Sequence, residues 1–364
     1  MNRDAFSARL AAIRPADAAA MDAARRRQAQ LAKPPGSLGK LEDISIQLAG
    51  ITGHIDNEIE KTRIYVLAAD NGVVAEGVSS APQSVTRQQA VNLTRGVTGA
   101  SAIARRFGDE LVVVDVGIAE DYTCPQIVNR RIARGTKNIA KEPAMTVQQA
   151  LTALDTGMTL AAQAKRDGVQ ALGVGEMGIG NTTTSAAVLM ALTGCAVEDA
   201  VGRGGGVTEE AFARKRAVVA GALARLRPDA GDAVDVLAKV GGFDLAAMAG
   251  VFLGAAESRL PVVIDGFISV VAALCAVRLC PAARDFLFAS HGSFERGYAV
   301  AAQALSLTPV LLLDMRLGEG SGCPLGFRVL EAACAAMNGM ATFEDARIDD
   351  GYLAPIRAKD CFTV

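Results

Sequence analysis

Two glycine-rich stretches carry residue types that bind phosphate. The first, GEMGIGNTTTSAAV at 175–188, has the glycine spacing and the threonine of a P-loop, but Asn181 stands where a P-loop has lysine. That lysine contacts the β- and γ-phosphates of a nucleotide, so its absence argues against a nucleoside triphosphate. Backbone N–H groups at the start of the following helix and the threonine hydroxyls still suit a single phosphate. The stretch predicts a monophosphate site, and tight packing of a strand against a helix is the alternative.

The second stretch, GRGGGVTEE at 202–210, has three consecutive glycines. Ordering them costs conformational entropy, which favours a close approach of the backbone to a ligand. A helix is predicted to begin at Thr208 and carries Lys215 two turns in. On its own pattern, Lys215 is better interpreted as a solvated surface charge than as a phosphate ligand.

A third stretch, DMRLGEGSGCPLG at 314–326, places Glu319 between two glycines. A carboxylate with close-approach backbone on both sides could act as a general base if it is partly desolvated. The local sequence alone favours the alternative, an exposed turn residue.

Composition excludes several classes of protein. The 364 residues are 51% hydrophobic with a formal net charge of −2 and no tryptophan, and the short basic clusters lack aromatic neighbours, so we expect no nucleic-acid partner. The longest apolar stretch, 267–277, is too short to span a bilayer, and the N-terminus lacks the apolar core of a signal peptide. We therefore expect no membrane partner. Seven cysteines without CxxC pairs predict a reducing, cytoplasmic compartment, and with only two histidines a zinc site would lack its usual ligands, so no metal site is expected.

These loops must be positioned by elements that alternate along the chain. Short apolar runs, each followed by a helical stretch, predict a doubly wound, mostly parallel α/β sheet of the Rossmann-like class. In such a sheet, ligands bind beyond the carboxyl ends of the strands. Both chain ends read as helical, over residues 1–32 and again from about 331. The predicted strands lie in 64–72, 111–117, 171–178, 261–266, 286–292 and 309–315, with polar ends at Asp70, Asp115, Glu176, Asp265, Ser290, His291 and Asp314.

Taken together, these stretches resemble the nicotinate-nucleotide–dimethylbenzimidazole phosphoribosyltransferase family. Eight matching stretches follow one another in order over nearly the whole chain, which makes the resemblance specific. Any one glycine loop alone would be weak evidence for the family. They are KPPGSLGKLE (33–42), AADNGVVAEGVSSAPQSVT (68–86), GEMGIGNTTTSAA (175–187), GRGGGV (202–207), VGGFDLAAMAG (240–250), PVVIDGFIS (261–269), SHGSFERG (290–297) and RLGEGSG (316–322).

The resemblance implies a reaction and an architecture. Nicotinate mononucleotide and 5,6-dimethylbenzimidazole would give α-ribazole 5′-phosphate and nicotinate, without a cofactor, in a homodimer. The implied fold is a large α/β domain with a small helical domain built from both chain ends. We therefore expect an N-terminal helical segment over 1–40, an α/β catalytic domain over 41–330 and a C-terminal segment over 331–364.

The resemblance also implies roles for individual residues. Glu319 matches the catalytic base, which takes the N–H proton of the benzimidazole so that the ring nitrogen attacks C1′ of the ribose. Glu176 matches a position near the phosphoribose and would stabilise an oxocarbenium-like transition state. Asn71 and Ala81 depart from the family pattern in the base pocket. The expected substrate-binding residues are Ser80, Gln88, Gly178, Gly180, Asn181, Thr182, Gly204, Gly205, Lys215, Asp265, Ser293 and Leu317.

Two other functions are alternatives to this reaction. A phosphoribosyltransferase that uses phosphoribosyl pyrophosphate would need Mg²⁺, and Asp115 faintly matches the strand-and-acid motif of that class. A binding module that holds a nucleotide without chemistry is the second, although the presence of Glu319, Glu176 and Lys215 argues against it.

Overall fold

The computed structural model describes residues 1–358, which divide into two compact units. The larger unit comprises Met1–Arg14 and Lys61–Gly326, and the smaller comprises Pro15–Glu60 and the chain from Phe327 onward. This division differs from the predicted domain ranges because residues 1–14 belong to the larger unit and residues 41–60 to the smaller. The predicted domain roles stay a prediction.

The larger unit contains one sheet of six parallel strands. Its spatial order is β3-β2-β1-β4-β5-β6, so the order reverses direction between β1 and β4, as in a Rossmann-like sheet. Every residue of β1 is buried, which explains the continuous apolar run in its sequence. The doubly wound parallel α/β prediction is confirmed. The strands are β1 (Thr62–Ala69), β2 (Glu110–Gly117), β3 (Val128–Asn129), β4 (Ala171–Met177), β5 (Val262–Ile264) and β6 (Leu287–Ala289).

The strand predicted over 309–315 is wrong. Only an isolated bridge between His291 and Leu311 forms there, and the two-residue β3 was not predicted. Pro309 has no N–H to donate to a ladder, and Asp314 adopts a left-handed φ of 51°, which ends the extended conformation. Leu312 and Leu313 of this run are consequently exposed, with 83% and 50% of their surface accessible.

Helices follow most strands of the larger unit. β4 leads into α7 and β5 leads into α12, so the N-termini of these helices lie where the strands end. Among residues 1–358, no helix is long and apolar enough to cross a membrane; the cytoplasmic location stays a prediction. The helices assigned to the larger unit are α1 (Arg3–Ala12), α4 (Ser84–Thr94), α5 (Gly99–Phe107), α6 (Val147–Arg166), α7 (Asn181–Thr193), α8 (Val197–Ala200), α9 (Glu209–Leu226), α10 (Ala233–Val240), α11 (Phe243–Glu257), α12 (Phe267–Leu279) and α13 (Gly297–Ala304).

The smaller unit is helical. It contains α2 (Ala18–Gln30), α3 (Lys40–Thr52) and α15 (Ala354–Ala358), and the division between the units falls within α14 (Cys323–Gly339). Its core includes Ala24, Ala49 and Met337. The helix predicted over 1–32 is interrupted between α1 and α2, where Pro15 lies. The residue before a proline is biased away from helical backbone, which explains the break.

The closest helix packing in the larger unit joins α6 to α11. A Cβ placed on Gly157 of α6 would lie 2.0 Å from the carbonyl oxygen of Ala247 and 2.5 Å from the backbone nitrogen of Val251. Backbone atoms cannot rotate away as a flexible side chain can, so glycine is required at this crossing.

We predict that Gly157→Ala destabilises the protein by about 3 kcal/mol, the upper part of the range for overpacked cores. Gly221→Ala in α9 is the matched control, because its added Cβ would meet nothing closer than 4.0 Å. It should stabilise the helix by about 0.5–1 kcal/mol. Urea unfolding followed by circular dichroism measures both changes, and equal midpoints for the two variants would contradict the packing explanation.

Candidate active site

A cavity of about 250 Å³ lies beyond the carboxyl ends of the strands. Its lining comes from the end of β4, from the segments that follow β1, β4, β5 and β6 and from the loop at 316–318. This is the position at which ligands bind to doubly wound sheets. The structure brings most of the predicted site residues together here: Ser80, Glu176, Gly178, Gly180, Asn181, Thr182, Gly204, Gly205, Asp265, Ser293 and Leu317.

Glu319 is buried directly beside this lining, with 3% of its surface exposed. One carboxylate oxygen accepts a hydrogen bond of 3.1 Å from Gln89 Nε2, and the other lies 3.4 Å from the backbone nitrogen of Ala100, in the first turn of α5. The positive end of a helix favours a carboxylate. The interpretation of Glu319 as an exposed turn residue is therefore wrong, since the loop folds it inward.

The loop around Glu319 has an unusual backbone. Glu319 has a left-handed φ of 63°, and Gly318 and Gly320 on either side both have φ of 84°. A non-glycine residue in this region is strained, and such strain concentrates at functional sites. A Cβ on Gly175 would lie 2.3 Å from the nitrogen of Gly320. Gly175, the first glycine of the P-loop-like stretch, is thus needed for this acidic loop to pack against β4.

Asp265, at the end of β5, holds the acidic loop in place. Its two carboxylate oxygens accept backbone hydrogen bonds from Gly320 at 3.0 Å and from Gly322 at 2.7 Å, on either side of Ser321. Burial raises the pKa of Asp265 to about 7, and the two backbone N–H groups oppose this rise. Asp265 lines the cavity and also positions the segment that carries Glu319.

Glu176, at the end of β4, belongs to a buried cluster of carboxyl groups. Asn181 donates from Nδ2 to Glu176 Oε2 and also, at 3.2 Å, to Asp244 Oδ2. Burial, together with the charge of Asp244, raises the pKa of Glu176 to about 8. Burial also raises the pKa of Asp244 to about 6. At neutral pH the Glu176 carboxyl group of the unliganded protein is therefore mainly protonated.

Lys215 is the least expected member of the site. Only 1% of its surface is exposed, and its ammonium donates a hydrogen bond of 2.8 Å to Thr182 Oγ1. Within residues 1–358 no carboxylate forms an ion pair with it at 4.0 Å or less, and burial lowers its pKa to about 8, a shift that the more distant charge of Glu295 opposes. The interpretation as a solvated surface charge is wrong, because α9 turns this residue inward. A buried ammonium without a direct ion pair is costly, and a bound anion would reduce that cost.

The glycine run beside Lys215 leaves room for such an anion. A Cβ on Gly204 would lie 2.9 Å from Thr182 Oγ1 and 3.4 Å from Lys215 Nζ, whereas one on Gly205 would meet nothing within 4 Å. Gly204 has a left-handed φ of 56°. The loop therefore runs close to the lysine and the threonine while its next residue faces open space.

Three predicted positions do not line the cavity. Glu319 and Lys215 lie immediately behind its wall, as described, but Gln88 is exposed on α4, and its role in a base pocket stays a prediction. The neighbouring Gln89 contacts Glu319 instead, and nothing in the sequence distinguishes the two glutamines. Of the two departures from the family pattern, Ala81 lines the cavity, whereas Asn71 is buried against Asp244.

Other acids at strand ends are occupied elsewhere. Asp115 accepts hydrogen bonds from the backbone of Gly117 and Ile118 and from Tyr122, and it pairs with Arg131 at 2.9 Å. It is a structural residue and not a free metal ligand, which weakens the comparison with enzymes that use phosphoribosyl pyrophosphate. In the described part of the chain, no group of three or more histidine, cysteine or acidic side chains is arranged to hold a metal ion.

Comparison with known proteins identifies the family. Residues 13–348 match the family described as phosphoribosyltransferase. Among curated relatives, the nicotinate-nucleotide–dimethylbenzimidazole phosphoribosyltransferase of Clostridium perfringens (strain 13 / Type A) is 52% identical over 341 residues, 94% of each chain. The chain belongs to this phosphoribosyltransferase family.

Two further members support the assignment. The enzyme of the same name from Acetivibrio thermocellus is 49% identical over 329 residues, covering 90% of this chain and 94% of its own. The crystal structure of the Thermus thermophilus enzyme has a TM-score of 0.87 at 43% identity, covering 92% of this chain and all of that one. The fold described above is thus the fold of the family.

The raised pKa of Glu176 leads to a prediction about stability. A folded-state pKa of about 8 exceeds the unfolded value of about 4.3, so between these pH values the folded state retains a proton that the unfolded state has released. The free energy of unfolding should therefore fall as the pH rises from about 5 to 8. Glu176→Gln removes this titration and should flatten the fall.

Urea unfolding at pH 5, 6, 7 and 8 measures this difference. Asp244 and Asp265 titrate in the same direction in both proteins, and both interact electrostatically with Glu176, so the difference between the two curves measures the titration of Glu176 together with its effect on these neighbours. Glu142→Gln, at an exposed position, should follow the wild-type curve. A gap between Glu176→Gln and wild type that is constant with pH would contradict the assignment.

Proposed function

We propose that this protein transfers the phosphoribosyl group of nicotinate mononucleotide to 5,6-dimethylbenzimidazole, giving α-ribazole 5′-phosphate and nicotinate in the assembly of the cobalamin nucleotide loop. The observation that carries the proposal is one cavity flanked by a buried ammonium, Lys215, without a direct ion pair among the described residues and by a buried carboxylate, Glu319, on a strained loop. The first suits a phosphate and the second suits a general base. Relatives about 50% identical over nearly the whole chain carry the name of this reaction.

The phosphate of the nucleotide would bind between the two glycine stretches. The donors are the Lys215 ammonium and the hydroxyl and backbone N–H of Thr182, in the first turn of α7; the N–H groups of Asn181 and Thr183 already donate to backbone carbonyls. Ser293 lines the same cavity and adds a hydroxyl. Lys215 would supply, from α9, the positive charge that the phosphate needs. The loop therefore needs no lysine of its own at the position of Asn181.

Glu319 would act on the second substrate. Its carboxylate takes the N–H proton of dimethylbenzimidazole, and the other ring nitrogen supplies the electron pair that attacks C1′. The bond from C1′ to the pyridinium nitrogen breaks, and nicotinate leaves with those electrons on its ring nitrogen. Because this ring nitrogen becomes neutral, no anionic leaving group has to be stabilised.

Glu176 would respond to the charge of the nucleotide. The pyridinium ring of nicotinate mononucleotide is a cation, and a nearby cation lowers the pKa of a carboxyl group. On binding, Glu176 would lose the proton that burial retains in the free protein and place a carboxylate beside the oxocarbenium-like transition state. The two carboxyl groups thus have separate roles set by separate surroundings.

The product of a chelator-treated reaction tests this function. Direct attack from the face opposite nicotinate inverts C1′, so the β-nucleotide should give only the α-riboside, at an undiminished rate in excess EDTA. NMR of the anomeric proton measures the outcome. A β-product would indicate a double displacement through a covalent intermediate. Activity only with Mg²⁺ and phosphoribosyl pyrophosphate would favour that rival reaction, and binding without turnover would favour a nucleotide-binding module.

Replacing the base should reduce turnover more than substrate binding. Glu319→Gln keeps the size and the hydrogen-bonding reach of the side chain but removes its basicity, and we expect kcat to fall by about 10²–10⁴-fold. Steady-state kinetics with both substrates measure the change. A near wild-type kcat would remove Glu319 from this role.

Lys215→Met is the matched comparison for Glu319→Gln. It removes the ammonium and keeps the apolar stem, so affinity for nicotinate mononucleotide should fall while affinity for dimethylbenzimidazole is retained. Isothermal titration with each substrate separates the two. Equal losses for both substrates in a folded variant would place Lys215 outside the phosphate site.

We also propose that the protein is a homodimer. Four large apolar side chains are exposed in segments that reach the cavity lining: Phe294, between the lining residues Ser293 and Glu295, the lining residue Leu317, and Leu312 and Leu313 shortly before it in the chain. Large apolar side chains exposed in neighbouring segments are candidates for a protein interface. Leu312→Glu should raise the dimer dissociation constant at least tenfold in analytical ultracentrifugation, whereas Val147→Glu, at an exposed site in α6, should not. A monomeric wild-type protein at micromolar concentration would contradict the proposal.

A further inference from the structure

His291, at the end of β6, lines the cavity but has no part in the steps above. Only 2% of its surface is exposed, and its neighbour Ser290 is buried as well. The hydroxyl oxygen of Ser290 lies 3.0 Å from His291 Nδ1, 2.7 Å from the carbonyl oxygen of Ile264 and 3.2 Å from that of Asp265. These distances decide which imidazole nitrogen carries the proton.

A serine hydroxyl has one proton, and carbonyl oxygens only accept hydrogen bonds. The Ser290 hydroxyl donates its one hydrogen to the nearby carbonyl oxygen of Ile264. Towards the imidazole, the serine oxygen can therefore act only as an acceptor. His291 must then donate from Nδ1–H. The hydrogen-bond network assigns the neutral tautomer with a bare lone pair on Nε2.

The surroundings maintain this state. Burial lowers the pKa of His291 from its usual 6.5, which favours the neutral ring. A Cβ on Gly322 would lie 2.3 Å from His291 Nδ1 and 2.6 Å from Ser290 Oγ, so only glycine allows the acidic loop to pack on this pair.

Nε2 is the polar atom that faces the cavity. It has no hydrogen-bond partner among residues 1–358. Gly266 also lines the cavity, and it has no side chain. A Cβ placed on it would lie 3.7 Å from Nε2 and 3.6 Å from Ser293 Oγ, so the space that such a side chain would fill is open beside the lone pair. A neutral acceptor there repels phosphate and carboxylate oxygens and needs a donor.

The substrates offer few such donors. The phosphate and the carboxylate of nicotinate mononucleotide only accept, and the N–H of dimethylbenzimidazole goes to Glu319. The remaining donors are the two ribose hydroxyl groups. Resting on the function proposed above, we propose that His291 Nε2 accepts a hydrogen bond from a ribose hydroxyl and makes the site selective for ribonucleotides over deoxyribonucleotides. A buried acceptor left without its donor makes such discrimination strong.

Deoxy analogues of the nucleotide test this selectivity. For wild type, kcat/KM should fall roughly 10- to 100-fold with one of two analogues, 2′-deoxynicotinate mononucleotide or 3′-deoxynicotinate mononucleotide, depending on which hydroxyl group His291 contacts. His291→Phe lacks the acceptor, so it should lose activity with the natural nucleotide and discriminate less than about threefold against the same analogue. His291→Gln keeps an acceptor and should retain part of the preference, and His54→Gln, at an exposed histidine, should match wild type. An unchanged preference in His291→Phe would overturn the proposal.

Nitrogen-15 NMR of the imidazole rings provides a readout that does not depend on activity. The chain has two histidines, so His54→Gln assigns the spectrum of the wild type. We expect His291 protonated at Nδ1 in the free protein and a shift of the Nε2 resonance on titration with nicotinate mononucleotide. A proton on Nε2, or an Nε2 resonance unmoved by saturating nucleotide, would overturn the proposal. Wild-type protein that forms no α-ribazole phosphate would instead refute the proposed function, while this titration still decides the role of His291.

Discussion

The site depends on the pair of hydrogen bonds that the Asp265 carboxylate accepts from Gly320 and Gly322. They fasten the acidic loop to the end of β5, and the loop in turn carries Glu319 in a strained left-handed conformation. Such a backbone persists only where the surroundings determine it. Gly175 and Gly322 complete the constraint, because a side chain at either position would push the loop away from the sheet.

Burying carboxyl groups in this site has an electrostatic cost, which is visible in their pKa values. Glu176, Asp244 and Asp265 all have raised pKa values because each is removed from water. Lys215 carries the opposite cost, since burial lowers its pKa. Under the proposed function, a substrate with a phosphate and a cationic ring would bring the two charges that offset both costs. Binding would then also compensate the buried charges, which would favour this class of ligand over neutral nucleosides.

Packing explains why the glycines of the sequence do not all serve the ligand. Gly175 makes room for the acidic loop, whereas Gly204 makes room for Lys215 and Thr182. Gly205 and Gly206 both face open space, and of these two Gly205 lines the cavity, as the phosphate interpretation requires. A glycine motif thus combines positions for packing with positions for binding, and its spacing alone does not separate them.

The sequence by itself determined the parallel α/β sheet and most of the residues that line the cavity. Continuous apolar runs need burial on both faces, and polar residues at the ends of parallel strands must meet at one edge. It also supplied eight ordered motifs that identify the family. Apolar runs, polar strand ends and ordered motifs can all be recognised along the chain without knowing which residues are in contact.

Only the tertiary structure decided the burial of Lys215 and Glu319, the choice of Gln89 over Gln88 as the partner of Glu319, and the tautomer of His291. It also left the run at 309–315 exposed instead of adding a seventh strand. Each of these depends on which atoms from distant parts of the chain approach within hydrogen-bonding or packing distance. Residue type and spacing carry no record of that approach, because burial and proton positions are properties of the assembled surroundings.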